Sequence, residues 1–269
     1  MTDRDLPDLR RAQAGAVLTL TLDRPDARNA YSEAMVESLV RALDEAERDD
    51  QVRCLIVTGA GPAFSAGGDL KRMLQHDGMF AGAPAELRRR YIDGIQRIPR
   101  RLALTDKPVI AAINGAAIGA GLDLACMCDL RIAARGAQLG STFVKVGLVP
   151  GDGGAYLLAR TIGFPRALEL MLSARLVDTD EAERIGLVHR VVDAAELLPA
   201  AQLLAEQLAA LPPLALRLTK RAAYRSHDLG LEQALELAAT YQGVAQNTAD
   251  HAEAVRAMLE RRAPHFTGT

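Results

Sequence analysis

The chain has 269 residues, a hydrophobic share of 49%, and 32 Lys+Arg against 34 Asp+Glu, for a net charge of −2. That is enough apolar material for one large core, with no global positive field to draw in nucleic acid. No window approaches the roughly 20 consecutive apolar residues that span a bilayer, and Met1–Asp8 lacks the apolar core of a signal peptide, so a cytoplasmic location with no membrane or nucleic-acid partner is expected.

Ala16–Leu22 alternates apolar residues with Thr and reads as a half-buried strand, broken by Asp23-Arg24-Pro25-Asp26. Ser32 is a good N-cap for a helix running to Asp49, with Met35, Leu39, Val40 and Leu43 on one stripe. Cys54–Gly59 is an unbroken apolar run, the pattern of a strand buried on both faces. A loop of small residues follows it, Ala60 to Leu70, and residues 71–84 are punctuated by glycine and proline. A helix is expected over 85–104, and Arg88-Arg89-Arg90 and Arg100-Arg101 read as solvated helix faces.

Pro108–Asn114 is a second buried strand, leading into Gly115–Asp129, where glycines and alanines open a short apolar helix carrying Asp123 in its first turn. Such a helix start offers free amide groups and welcomes negative charge. Leu130–Ala134 is a third strand, and Val146–Gly154 leads into a helix from Ala155 to Ile162 with Asp152 as its expected N-cap. Helices near 165–173, 179–185, 194–210, 213–226, 229–247 and 250–262 follow, interrupted by the apolar piece 187–192. Strands mixed with helices early, then helices almost alone, predict an α/β core over residues 1–200 and a helical region over 201–269.

Two small-residue loops, each after a buried strand, are the candidate site, because ligands of α/β proteins gather at the carboxyl ends of strands. The competing reading is close helix–strand packing. Gly59-Ala60-Gly61-Pro62-Ala63-Phe64 ends in Phe where a dinucleotide fingerprint needs glycine, and no P-loop or Gly-x-Ser-x-Gly elbow occurs. Cys54, Cys126 and Cys128 read as buried apolar side chains, and the five histidines are scattered, so no metal is expected and His189 reads as structural. Backbone amides and carboxylates remain to carry the chemistry.

Phe64-Ser65-Ala66-Gly67-Gly68-Asp69-Leu70, then Asn114 to Leu124 and Cys128-Asp129, resembles the signature of the crotonase family of enoyl-CoA hydratases and isomerases. Leu22–Pro25 with Asn29-Ala30, Gly147–Pro150 and Glu260–Phe266 resemble its further motifs in the same order. The resemblance implies a crotonase-like ββα coiled core, a helical C-terminal trimerisation region, and a homotrimer or a hexamer made of two trimers. It implies an acyl-CoA thioester substrate, with coenzyme A as part of that substrate and no other cofactor. The thioester oxygen would accept the amides of Ala66 and Ala120, and the nucleotide end of CoA would lie against Arg24, Arg28, Ser65, Gly67, Gly68 and Asp69.

The chain departs from the family's hydratases at two positions. Where they carry two glutamates it has Asp123 and Phe143, so the second carboxylate is missing and the pocket is drier. Asp123 and Asp152 are the candidate proton-transfer groups. The helix dipole would hold Asp123 ionised, whereas desolvation by Leu122 and Leu124 would hold it neutral. The expected function is proton transfer through a thioester enolate, as double-bond isomerisation or hydration; the rival is a non-catalytic acyl-CoA-binding protein.

Overall fold

The computed structural model describes residues 6–269, so the expectation drawn from Met1–Asp8 lies partly outside the described residues. Nine strands appear in chain order: β1 (Leu9–Ala14), β2 (Val17–Leu22), β3 (Cys54–Gly59), β4 (Ala63–Ser65), β5 (Val109–Ile113), β6 (Ala116–Ile118), β7 (Leu130–Ala134), β8 (Leu139–Gly140) and β9 (Arg190–Val192). They form a six-stranded sheet in the order β1-β2-β3-β5-β7-β9 and a three-stranded sheet in the order β4-β6-β8. Among the strand pairs of the described residues only β1–β2 is antiparallel.

Successive strands are dealt alternately to the two sheets: β3, β5 and β7 enter the large one, and β4, β6 and β8 the small one. Because the small sheet is parallel, its three carboxyl ends lie on one side. They deliver Ala66–Gly68, Gly119-Ala120 and Ser141–Phe143 to the same place. The short strands β4, β6 and β8 are too brief to leave a periodic signal, which is why these segments read as loops.

The helices are α1 (Glu33–Arg48), α2 (Leu70–Leu74), α3 (Pro84–Asp93), α4 (Arg97–Ala103), α5 (Ala120–Met127), α6 (Gly154–Ile162), α7 (Phe164–Ser173), α8 (Thr179–Arg184), α9 (Leu197–Ala209), α10 (Pro213–Ser226), α11 (Leu231–Gln246) and α12 (Ala249–Glu260). Ser32 caps α1, accepting the Met35 N–H at 3.0 Å. The single helix expected over 85–104 is two, α3 and α4, broken at Gly94.

The unbroken apolar run of β3 is explained by cover on both faces. Leu55 and Val57 join the main core with α1, α4 and α5, while Cys54 and Ile56 meet α9 on the other side. Side chains fully buried this way contribute about 1.5–3 kcal/mol each. Ala201, Ala205 and Ala209 form a small-residue stripe that seats α9 on the sheet, so the division expected at 200/201 falls inside one packed helix. All three cysteines are buried and unpaired, and His189 Nδ1 accepts the Arg131 amide at 3.1 Å. Among the described residues no helix is long and apolar enough to cross a membrane.

The C-terminal helices are tied to this core through Asp129, two residues past the end of α5. Its carboxylate accepts the Val109 amide at 2.7 Å, Lys220 Nζ at 2.7 Å and the Tyr224 hydroxyl at 2.8 Å. Lys220 also donates to the Lys107 carbonyl, at 2.9 Å.

Candidate active site

Every residue of α5 is buried, and Asp123 is its one charged side chain. Gly119, with φ of 55°, caps its start and lies against the Phe143 ring, which is half-buried. Ala120 is the first helical residue, so no carbonyl stands behind its amide within the helix. The preceding peptide is held from its other side, since the Gly119 carbonyl accepts the Asp123 amide at 3.0 Å. A trans peptide points its N–H opposite to its C=O, so this bond also fixes where the Ala120 N–H points.

The second loop requires a correction. The Ala66 amide donates to the Arg28 carbonyl at 2.9 Å and is therefore engaged inside the protein. The Gly67 amide is bound at 3.1 Å by the Ser65 hydroxyl, which itself donates to the Asn29 carbonyl at 2.8 Å. The next amide, that of Gly68, has no hydrogen-bond partner among the described residues. Gly67 carries φ of 81°, and a Cβ on it would lie 2.9 Å from the Ala120 nitrogen. The two loops thus touch at Gly67, and Gly68 and Ala120 supply the free donors.

Asp123 and Asp152 are 1% and 2% exposed, and both oxygens of Asp123 and one of Asp152 have no properly formed hydrogen bond. A buried polar atom without a partner costs about 1–3 kcal/mol, so an arrangement of three is a poor structural device. The Asp123 carboxyl lies against the α-carbon of Gly154, where any Cβ would collide with it. Its amide is near enough to favour the ionised form slightly without forming a full bond. Asp152 is a neighbour of Asp123 in the interior, close enough for its charge to oppose ionisation of Asp123.

Burial first, then repulsion from Asp152, pushes Asp123 well above the ordinary carboxylate range. Burial also raises Asp152, and its neighbour Asp123 works in the opposite direction by less. Both carboxyls are thus held above the ordinary range, and the pair takes up and releases protons as a unit. Desolvation outweighs the helix dipole at Asp123. Nor does Asp152 cap α6 as expected; Gly153 does, at φ of 106°, which frees the Asp152 carboxyl to turn inward. Gln96 steadies this loop by donating to the Gly151 carbonyl at 2.7 Å.

Several of the residues expected to meet CoA also have partners within the protein. Ser65 is fully buried and latches the loop, as described above. Asp69 caps α2 through the Arg72 amide at 3.3 Å and lies 3.6 Å from the Arg24 guanidinium. Arg24 donates to the Ala30 carbonyl at 2.6 Å and lies 3.5 Å from Asp8. Arg28 is different: its side chain is exposed, with no ion pair among the described residues.

Tyr31 and Tyr91 were not singled out by sequence reasoning. Tyr31 directly precedes the Ser32 cap, where an apolar residue is ordinarily a packing staple. It is 0% exposed, and burial together with Asp152 and Asp123 raises its hydroxyl well above the ordinary value. The Tyr91 ring packs on Gly151, and burial and Asp152 raise its hydroxyl too. Nothing in a lone Tyr in a helical run signals such a place.

The family model described as Enoyl-CoA hydratase/isomerase matches residues 12–269. The chain belongs to the enoyl-CoA hydratase/isomerase family. It is 41% identical over 253 residues to the 1,2-epoxyphenylacetyl-CoA isomerase of Escherichia coli K12, covering 94% of this chain and 95% of that one. It is 36% identical to the short-chain-enoyl-CoA hydratase of Clostridium acetobutylicum over 92% and 93% of the two chains. The crystal structure of an enoyl-CoA hydratase from Bacillus anthracis superimposes with a TM-score of 0.91 at 33% identity, covering 97% of this chain and all of that one. As a member of the enoyl-CoA hydratase/isomerase family the chain is an enzyme of hydratase/isomerase type with the crotonase fold.

Proposed function

We propose that the enzyme moves the double bond of an enoyl-CoA thioester by proton transfer through an enolate. The observation that carries this reading is the pair of buried carboxyls, Asp123 and Asp152, with oxygens that have no hydrogen-bond partner, near two unpartnered amides; in this reading the pair holds one proton. The Asp152 carboxylate takes the α-proton, and the C–H electron pair passes into a dienolate whose charge rests on the thioester oxygen. The Gly68 and Ala120 amides bond that oxygen, and the dipole of α5 favours it. Asp123 gives its proton to the γ-carbon. Transfer of the proton on Asp152 to Asp123 then restores the pair, so no proton is gained or lost.

Hydration would also need an activated water. Phe143 stands where hydratases of the family have a glutamate, and its ring against Gly119 supplies no group to orient water. The nucleotide end of coenzyme A lies in this reading across the loops 24–29 and 65–69, with Arg28 the cation free to meet a phosphate. No further cofactor enters the reaction.

The chain further assembles, in this reading, as a homotrimer or a dimer of trimers. Support comes from the exposed apolar side chains Leu231, Leu235, Val244, Met258 and Leu259 on α11 and α12, which a lone chain leaves in water. Sedimentation would give the mass; a monomer at micromolar concentration overturns the assembly. For the reaction, the enzyme is incubated separately with a 3-enoyl-CoA and a 2-enoyl-CoA and the products identified. Interconversion of the two is expected. Only a 3-hydroxyacyl-CoA, with no bond migration, would defeat the isomerase reading.

A further inference from the structure

Tyr31 touches both halves of the site. Its backbone amide donates to the Gly67 carbonyl at 2.8 Å, and its hydroxyl reaches the Ala120 carbonyl at 3.4 Å. The first of these bonds acts on a specific peptide. Gly67 C=O and Gly68 N–H belong to one planar unit, so a donor on that carbonyl aims the Gly68 N–H directly away from Tyr31 and polarises it. The second bond reaches α5 one peptide beyond the Ala120 amide. Between the two runs a ring that is fully buried in the main core and anchored one residue ahead of the capped start of α1.

We propose that Tyr31 is a positioning residue for the reaction, a strut that sets the spacing and direction of the Gly68 and Ala120 amides. It touches no reacting atom and acts only through those two amides; the assignment rests on the enolate reading above. The long hydroxyl contact leaves room for the bond to shorten when charge develops at the oxyanion and the helix start is drawn toward it. A strut of this kind contributes in the transition state and little in the ground state, which separates it from a packing residue. Ordinary packing would weaken all ligands and folding together.

The test uses the full-length wild type and Tyr31→Phe, with Tyr31→Met as a second variant that keeps apolar bulk if the first folds poorly. Three quantities are read: exchange of the α-protons of butanoyl-CoA with deuterated water, affinity for butanoyl-CoA, and affinity for 3-oxobutanoyl-CoA with the ultraviolet absorbance of its bound enolate. Tyr31→Phe is expected to slow exchange and to weaken the bound enolate by the same factor, about three- to ten-fold for one hydrogen bond. Affinity for butanoyl-CoA stays within about two-fold. Unchanged exchange, or equal losses for both ligands, overturns the role of Tyr31. Wild-type enzyme that exchanges no α-proton defeats the proton-transfer reading instead, while the enolate absorbance still tests the strut.

Discussion

Asp123 and Asp152 face each other in the protein interior without a cation between them. Burial raises the proton affinity of both, and in the proposed reaction one acts as the acid and the other as the base. Asp152→Asn removes the base and Asp123→Asn the acid. Either change is expected to lower isomerisation by about 10²- to 10⁴-fold with little change in KM, measured by following double-bond migration. Activity needs one proton on the pair, so the wild-type pH–rate profile is a bell that flattens in both variants.

The same pair couples stability to pH. An unfolded aspartate ionises near pH ~3.9, whereas folded Asp123 keeps its proton to higher pH. Below pH ~3.9 both states are protonated and folding carries no penalty. As pH rises, the unfolded chain releases its proton first, and stability falls until the folded group also ionises. Asp123→Asn removes its share of that slope and leaves the part due to Asp152. The variant is expected to equal or exceed wild type in melting temperature at pH 7 and to lose the advantage below about pH 4; a parallel offset at every pH contradicts this.

Gly67→Ala tests the meeting of the two loops. The backbone there is left-handed, and the added methyl meets the Ile118 carbonyl at 2.6 Å and the Ala120 nitrogen at 2.9 Å. Displacing one oxyanion donor is expected to cost about 3 kcal/mol of transition-state stabilisation, or about 10²-fold in kcat. Single-turnover kinetics on 3-enoyl-CoA would measure it.

Arg28→Glu separates nucleotide binding from chemistry. With the exposed cation reversed, KM for a CoA ester is expected to rise by about ten-fold. KM for the matching pantetheine ester, which lacks the nucleotide phosphates, should stay constant. Equal effects on both substrates would place Arg28 away from the phosphates.

Phe143→Glu restores a carboxylate at the position where the family's hydratases have one. A 3-hydroxyacyl product from 2-enoyl-CoA is expected to appear where the wild type gives none or little, detected by chromatography. Absence of any added hydration in a folded variant would show that dryness of the surrounding wall, and not the missing side chain, blocks water.

The long elements were legible because burial imposes a period. Met35, Leu39 and Leu43 mark α1, and the unbroken run Cys54–Thr58 marks a strand covered on both faces. The ordered motifs around Gly67, Ala120 and Asp123 made the family legible, and Asp123 and Asp152 were legible as separate candidates, without any sign that they are neighbours in the interior. What stayed hidden depends on contacts far apart in sequence. That the Ala66 amide is spent on Arg28, that Asp152 turns inward and leaves the cap to Gly153, and that Tyr31 bridges two loops are facts of backbone direction. Side-chain identity does not encode them. The second sheet was missed for a related reason: a strand of two or three residues has no room for alternation.

Asp129 gives the helix that opens with Ala120 a fixed far end. α5 is eight residues long, about 12 Å from end to end, and stiff over that distance. At one tip stands the amide that meets the oxyanion in the proposed reaction; two residues past the other stands a carboxylate gripped by Lys220 and Tyr224 of α10. The short helix is therefore a lever whose grip lies in the C-terminal helices and whose working end lies in the site. Removing the segment from Pro213 onward deletes none of the groups assigned to the proton transfer. It would still release the handle, making the accuracy of catalysis a property of how the segment from Pro213 onward is seated.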